Sequence, residues 1–220
     1  MRRAGEKSGL RCRDWAAAAV YPGVVSEEKF RWRDESVKRA VLISIRPKWC
    51  EKIASGKKTI EVRRNFPKLD VPFKVYIYCT RQNLLMKSNV SGNLCVERGK
   101  KCKEALESRG MTEYSGKIIG EFVCRTMEEF TTYYCANDAQ NVVIAKDACM
   151  TLAEMTDYEY KGHSACLFGW HISDLVIYDK PVALEKVTGV RKTRFGVEFY
   201  RMERAPQSWC YVEEQKKWSD

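Results

Sequence analysis

Histidine is scarce: His163 and His171 are the only two in 220 residues. The ten cysteines are scattered and never stand as C-x-x-C, so zinc-ligand spacing is missing. No Ser/His/Asp order, phosphate-binding Walker loop or H-E-x-x-H pattern occurs. No apolar run approaches the roughly 20 residues that cross a bilayer. The longest early one, Trp15 to Val20, is mostly alanine and too short for a secretory h-region. Without such a signal the thiols are expected to be reduced. These absences lead us to expect a soluble, cytoplasmic protein with no metal, no cofactor and no membrane partner.

What is present is ordinary in amount and uneven in placement. Hydrophobic residues make up 45% and charged residues 31%, a globular composition long enough for one good core. The formal charge is +10, and residues 37–68 hold ten Lys/Arg against Glu51 and Glu61, a balance of +8. Residues 69–220 hold 21 basic and 21 acidic side chains. A positive field concentrated in one segment attracts a polyanion; a solvated basic face is the plainer alternative.

Residues 1–36 carry no sustained period. They are read as a leader, either a flexible basic arm or an upstream extension of a chain starting near Val37. The domain is expected over 37–214, with a polar insertion at 81–115 and a short tail at 215–220. Its opening strand is Ala40–Ile45, after which Pro47 starts a short helix ended by Gly56. A strand follows over Lys58–Arg63, with Ile60 and Val62 on one face and Thr59, Glu61 and Arg63 on the other. Further strands are expected at Phe73–Thr80, Lys117–Arg125 and Gly169–Tyr178, the last broken by Pro181. Gly196–Arg201 and Ser208–Glu213 are expected to close the fold as a pair. Helices are expected around Cys95–Ser108 and Ala148–Met155. About five to six strands with short helices at the openings make an α+β fold, a small mixed β-barrel, the natural architecture.

The densest polar constellation is Ser55–Arg64. A carboxylate at Glu61 flanked by Lys57, Lys58 and Arg63 stays ionised, because neighbouring positive charge favours its charged form. It then either orients cations toward a phosphate or belongs to a salt-bridged outer face. Trp170 and His171 offer a stacking ring and a proton donor, or simply core and rim. Tyr76 and Tyr78 face either the cleft or the far side of their sheet. Trp209 and Tyr211 read as packing residues, while Gln207 and Ser208 have the chemistry to read a base edge. Cys50 at a helix start is a thiol whose pKa a helix terminus lowers.

Gly56-Lys57-Lys58-Thr59-Ile60-Glu61-Val62-Arg63 resembles the G-x-K-x-x-E-x-R signature of the ASCH family of PUA-like barrels. Ser44–Pro47, Gly116–Phe122 and Gly169–Ser173 with Lys180-Pro181 are similar to that family's opening, middle and late segments. Pro206–Tyr211 resembles the closing strand of a bacterial and phage-associated branch. The resemblance implies a barrel with a cleft beside the signature, binding RNA or a modified nucleotide. Arg46, Lys57, Lys58, Thr59, Glu61, Arg63, Trp170 and His171 are then the expected ligand-facing residues. Some small ASCH proteins are amidohydrolases of N4-acylated cytidines. Their catalytic lysine corresponds to Lys58, and Glu61 stands where their threonine would be. Catalysis by Lys58 and Glu61 is therefore the alternative, and a protein-interaction module built on 81–115 a third reading.

Overall fold

The computed structural model describes residues 38–97, 103–133, 138–215 and 218. The expected leader lies outside the described residues. The opening segment forms β1 (Arg39–Ile45), α1 (Pro47–Ala54), β2 (Ile60–Arg63) and β3 (Phe73–Cys79). The segment expected to be an insertion holds β4 (Leu84–Ser88), β5 (Leu94–Glu97), α2 (Lys103–Glu107) and β6 (Met111–Glu113). Then follow β7 (Ile118–Phe130), α3 (Ala139–Asp147), α4 (Leu152–Lys161) and β8 (Leu167–Val182). The chain ends in β9 (Thr188–Thr193), β10 (Gly196–Arg201) and β11 (Trp209–Glu213).

The expected closed barrel of five to six strands is not what forms. The strands make one eight-stranded sheet, β10-β9-β11-β1-β3-β7-β8-β2, and a separate three-stranded sheet, β5-β4-β6. The ladder has two ends, β10 and β2. At the β2 end a side chain substitutes for closure: Arg63 Nη2 donates to the Ser44 carbonyl of β1 at 2.7 Å. The sheet thus curls until its last strand meets a central one, and a guanidinium rather than a backbone ladder crosses the gap.

β1 is apolar at nearly every position because both of its faces are covered. Val41, Ile43 and Ile45 join one core cluster with Val75, Ile77, Phe122 and Trp170. Ala40 and Leu42 join another with Tyr76, Ile118 and Val212 on the opposite face. Tyr76 and Tyr78 therefore pack on the far side of the sheet. A third cluster seats α3 and α4 against Ile60 and Val62 of β2.

Several boundaries differ from the sequence reading. The helix expected over Ala148–Met155 is a junction, where α3 ends and Thr151 caps α4 in a reciprocal pair with Glu154. The helix expected from Cys95 is a strand followed by the short α2, since Cys95 pairs with Met86. β10 and β11 do not pair with each other; each pairs with β9, which the sequence reading did not identify. β8 continues through Pro181 to Val182 by shifting register against β7. Trp218, in the expected tail, packs between Tyr76 and Tyr178 at ring-centroid distances of 5.2 and 6.2 Å. Among the described residues, no helix is long and apolar enough to cross a membrane.

Candidate functional site: a cleft beside β2

The signature segment is placed by three local devices. Pro47 opens α1 with Arg46 at its N-cap in extended geometry, so the Arg46 side chain is not used as a cap. Gly56, at φ +71°, turns the chain out of α1, a conformation glycine adopts without strain. Lys58 then reaches the end of α3, where its ammonium donates to the Ala148 carbonyl at 2.9 Å. That carbonyl is one of the groups a helix leaves unpaired at its C-terminus, and a cation there also suits the helix dipole.

Lys58, Glu61 and Arg63 form a buried triad. Lys58 Nζ lies 3.2 Å from Glu61 Oε2, and Arg63 Nη2 lies 2.8 Å from Glu61 Oε1. Lys58 also donates to the Ile60 carbonyl at 2.8 Å, so all three ammonium hydrogens have acceptors. The expectation of a carboxylate held between cations is met in geometry, but the strand is no solvated outer face: all four β2 residues are buried.

This triad floors a cleft of about 780 Å³ whose walls come from α1, α4 and the loops before β4 and β11. Arg46, Lys58, Glu61 and Arg63 of the expected set line it. Lys57 and Thr59 are exposed and absent from its walls. Trp170 is fully buried, with its ring 5.9 Å from Phe73 and 6.1 Å from Trp209, so no face is open for stacking. His171 pairs with Glu128 at 2.6 Å and is also outside the cleft. Strand parity separates these two neighbours, because Trp170 lies opposite Glu61 and His171 opposite Ile60.

The aromatic walls are instead Trp49 and Tyr158. Lys48 Nζ stands 4.1 Å from the Trp49 ring centroid, and the Arg64 guanidinium 4.2 Å from that of Tyr158. Arg64 Nε also donates to the Tyr158 carbonyl at 3.1 Å. Gly162 makes this possible: a β-carbon there would lie 2.1 Å from Arg64 Nε. Sequence reasoning missed Arg64 and Tyr158 as a pair, since 94 positions separate them and only the docking of α4 brings them together. Gln207 and Ser208 do line the cleft, whereas Trp209 packs on Trp170.

The carboxylates of the cleft are already committed. Glu61 serves the triad, Asp157 pairs with Lys161 at 2.6 Å, and Glu154 completes the cap of α4. The Thr151 backbone N–H holds the Glu154 carboxyl below the usual carboxylate range. Among the described residues, no carboxylate stands within ion-pair distance of Arg46, Lys48 or Arg64. The Cys50 thiol is raised well above the ordinary cysteine value, chiefly by burial and then by its contact with Cys79. The lowered pKa expected at the helix start is overturned by desolvation. Among the described residues, no group of His, Cys, Asp and Glu side chains is placed to hold a metal ion.

Fold and site together describe an α+β protein with a cleft at the curled edge of its sheet, lined by Trp49, Tyr158 and side chains of both charges. No family model matches the chain, and no curated protein is similar to it at a significant level. Among solved structures it is similar to the ASCH protein of Zymomonas mobilis, at 18% identity and a TM-score of 0.47, over 80% of this chain and 88% of that one. A variant of the same protein gives 17% identity and the same TM-score, over 80% and 91%. These are structures of the family that the sequence resembles.

Proposed function

We propose that the cleft binds an anionic, base-bearing ligand, either RNA or a modified nucleotide within it. The observation that carries this reading is a set of three cations with no carboxylate within ion-pair distance among the described residues, Arg46, Lys48 and Arg64, around a cleft walled by Trp49 and Tyr158. Cations without carboxylate partners favour phosphate, and an aromatic wall favours a base. The volume falls within the roughly 300–1,000 Å³ of small-ligand sites, which suits a nucleotide unit and is too small for a duplex. The triad acts as a rigid floor that fixes Arg63 and Lys58 beneath the ligand.

The hydrolase alternative has weaker support from this geometry. A lysine that activates water or attacks a carbonyl needs a free lone pair, and Lys58 has three acceptors around its ammonium. Both Glu61 oxygens likewise face cations.

Binding of ribonucleoside monophosphates and short single-stranded RNAs, measured across a salt series, tests the proposal. Arg46→Gln and Arg64→Gln should each weaken binding and flatten the salt slope, by about 0.7 per lost phosphate contact on a single strand. Trp49→Ala should cost about 1–3 kcal/mol if a base stacks there, while Lys57→Gln, outside the cleft, should do little. Equal losses from Lys57→Gln and Arg64→Gln would refute the placement. Turnover of N4-acetylcytidine that Lys58→Met abolishes would replace binding by hydrolysis.

A further inference from the structure

The β9–β10 hairpin carries a second concentration of cations and exposed rings, at the opposite end of the sheet ladder from β2. Residues 186–204 hold Lys186, Arg191, Lys192, Arg194, Arg201 and Arg204 against Glu198 and Glu203, although residues 69–220 as a whole are balanced. At the tip, Arg194 and Phe195 form a two-residue turn between Thr193 and Gly196, which pair with each other. Gly196 has φ +128°, a backbone region that glycine enters freely. The Thr193 hydroxyl accepts from the Phe195 backbone N–H at 3.2 Å and donates to the Gly196 carbonyl at 3.1 Å. Phe195 is thus held on a hydrogen-bonded turn and is 85% exposed, and the Arg194 guanidinium stands 4.6 Å from its ring centroid.

The two faces of the hairpin differ. On one, Arg191 and Glu198 lie directly opposite and neutralise each other at 2.9 Å. On the other, the register places Lys192, Phe199 and Arg201 together, with Phe199 47% exposed. Among the described residues, no carboxylate pairs with Arg194 or Arg201.

Register also says where the tip lies. β9 runs antiparallel to β11 with Gly189 opposite Val212. Moving from Gly189 to Thr193 therefore advances along β11 toward Ser208, by about 13 Å at strand rise. Ser208 lines the cleft. The tip thus points along β11 toward the strand end at which Ser208 lines the cleft, while the hairpin itself is the edge of the ladder farthest from β2.

We propose that this hairpin is a second contact for a single-stranded nucleic acid, one nucleotide of which occupies the cleft. A base outside the cleft stacks on Phe195, Arg194 meets a phosphate flanking it, and Arg201, about 17 Å down β10 at strand rise, meets a phosphate farther along the strand. The proposal rests on the nucleotide reading of the cleft and extends it from a nucleotide to a strand. A second copy of this chain is the less fitting occupant, because a two-fold contact would bring Arg194 and Arg201 against their own like charges.

The test compares two probes: a mixed-sequence single-stranded RNA of about twelve nucleotides, within the range of ordinary single-strand sites, and the ribonucleoside monophosphates. Phe195→Ala should weaken RNA binding about tenfold. Arg194→Gln and Arg201→Gln should each lower the salt slope by about 0.7. All three should leave monophosphate binding and the melting curve unchanged. If monophosphates bind and RNA affinity ignores these changes, the hairpin contact is wrong and the cleft reading survives. If RNA binding depends on the hairpin but no monophosphate binds, the cleft reading falls and the hairpin contact stands. If neither probe binds, both fall. If Phe195→Ala alters the oligomeric state by light scattering and not RNA affinity, the surface belongs to a second copy and the proposal is overturned.

Discussion

The two ends of the large sheet carry the same chemistry in opposite surroundings. At the β2 end, Arg63 meets Glu61 at 2.8 Å with side chains 9% and 7% exposed. At the β10 end, Arg191 meets Glu198 at 2.9 Å with side chains 60% and 45% exposed. Distance alone would rank the two pairs as equals. Burial separates them, because a buried ion has given up its hydration and depends on its partner, while an exposed one exchanges its partner for water. β2 is covered on one face by α3 and α4 and on the other by the curl of the sheet. β10 remains an open edge, blunted by charge as exposed edges usually are. A fixed ion pair is thus scaffold at one end and surface at the other, and the cations near each end that no carboxylate holds within ion-pair distance are the ones we assign to a ligand.

The largest expected effect tests that contrast at the buried end. Glu61→Gln leaves Lys58 and Arg63 facing an amide that also donates, and should destabilise the fold by about 3–5 kcal/mol, read by urea unfolding. A loss below about 1 kcal/mol, the range of exposed pairs, would show that the triad is wetter than its burial implies. Second, Gly162→Ala should displace the Arg64 guanidinium from Tyr158, since the new methyl would meet it at 2.1 Å. Anion binding should weaken by about tenfold, the worth of one charge-assisted hydrogen bond, with the melting temperature nearly unchanged. An unchanged affinity would remove Arg64 from the ligand's contacts.

The third effect is smaller and depends on pH. Thr151→Ala removes the α4 cap and should cost about 1 kcal/mol at neutral pH. Because Glu154 has a depressed pKa in the folded state, its contribution is present above the ordinary glutamate value of about 4.3. It is lost as pH falls through the lower folded value. Unfolding at neutral and acid pH should therefore show a smaller gap between wild type and Glu154→Gln in acid. The smallest effect belongs to the exposed end. Arg191 holds the Glu198 carboxyl below its usual range by a direct hydrogen bond, yet Glu198→Gln should leave the melting curve within experimental error. A clear loss there would mean that the hairpin is anchored by this pair rather than by its turn and ladder.

Much of the local structure was legible in sequence. Pro47 and Gly56 bracket α1 as expected, because a proline fixes φ at a helix start and a glycine reverses the chain at its end. The apolar run of β1 and the alternation in β2 also read correctly. The Ala148–Met155 junction was misread because only one polar residue, Thr151, separates Ala148–Met150 from Leu152–Ala153, and that residue is the cap, with Glu154, that divides two helices. β9 was missed because Thr188–Thr193 has only a short apolar stretch and becomes a strand by pairing on both sides. Of the residues expected at the site, Arg46, Lys58, Glu61 and Arg63 line the cleft; the last three stand out by charge spacing and Arg46 came with the family resemblance, whereas no local signal links Arg64 to Tyr158.

By itself, the sequence determined where charge is concentrated, which segments turn, and which strand faces are apolar; these follow from spacing along the chain. Tertiary structure decided which cations are available and which are spent. Lys58 and Arg63 look as free in sequence as Arg46 and Arg64, but the curl of the sheet and the end of α3 supply their acceptors. It likewise took Trp170 into the core and put Trp49 and Tyr158 at the wall in its place. The reason is physical: the standing of a charge or a ring depends on what water it has lost, and that is set by elements distant in the chain.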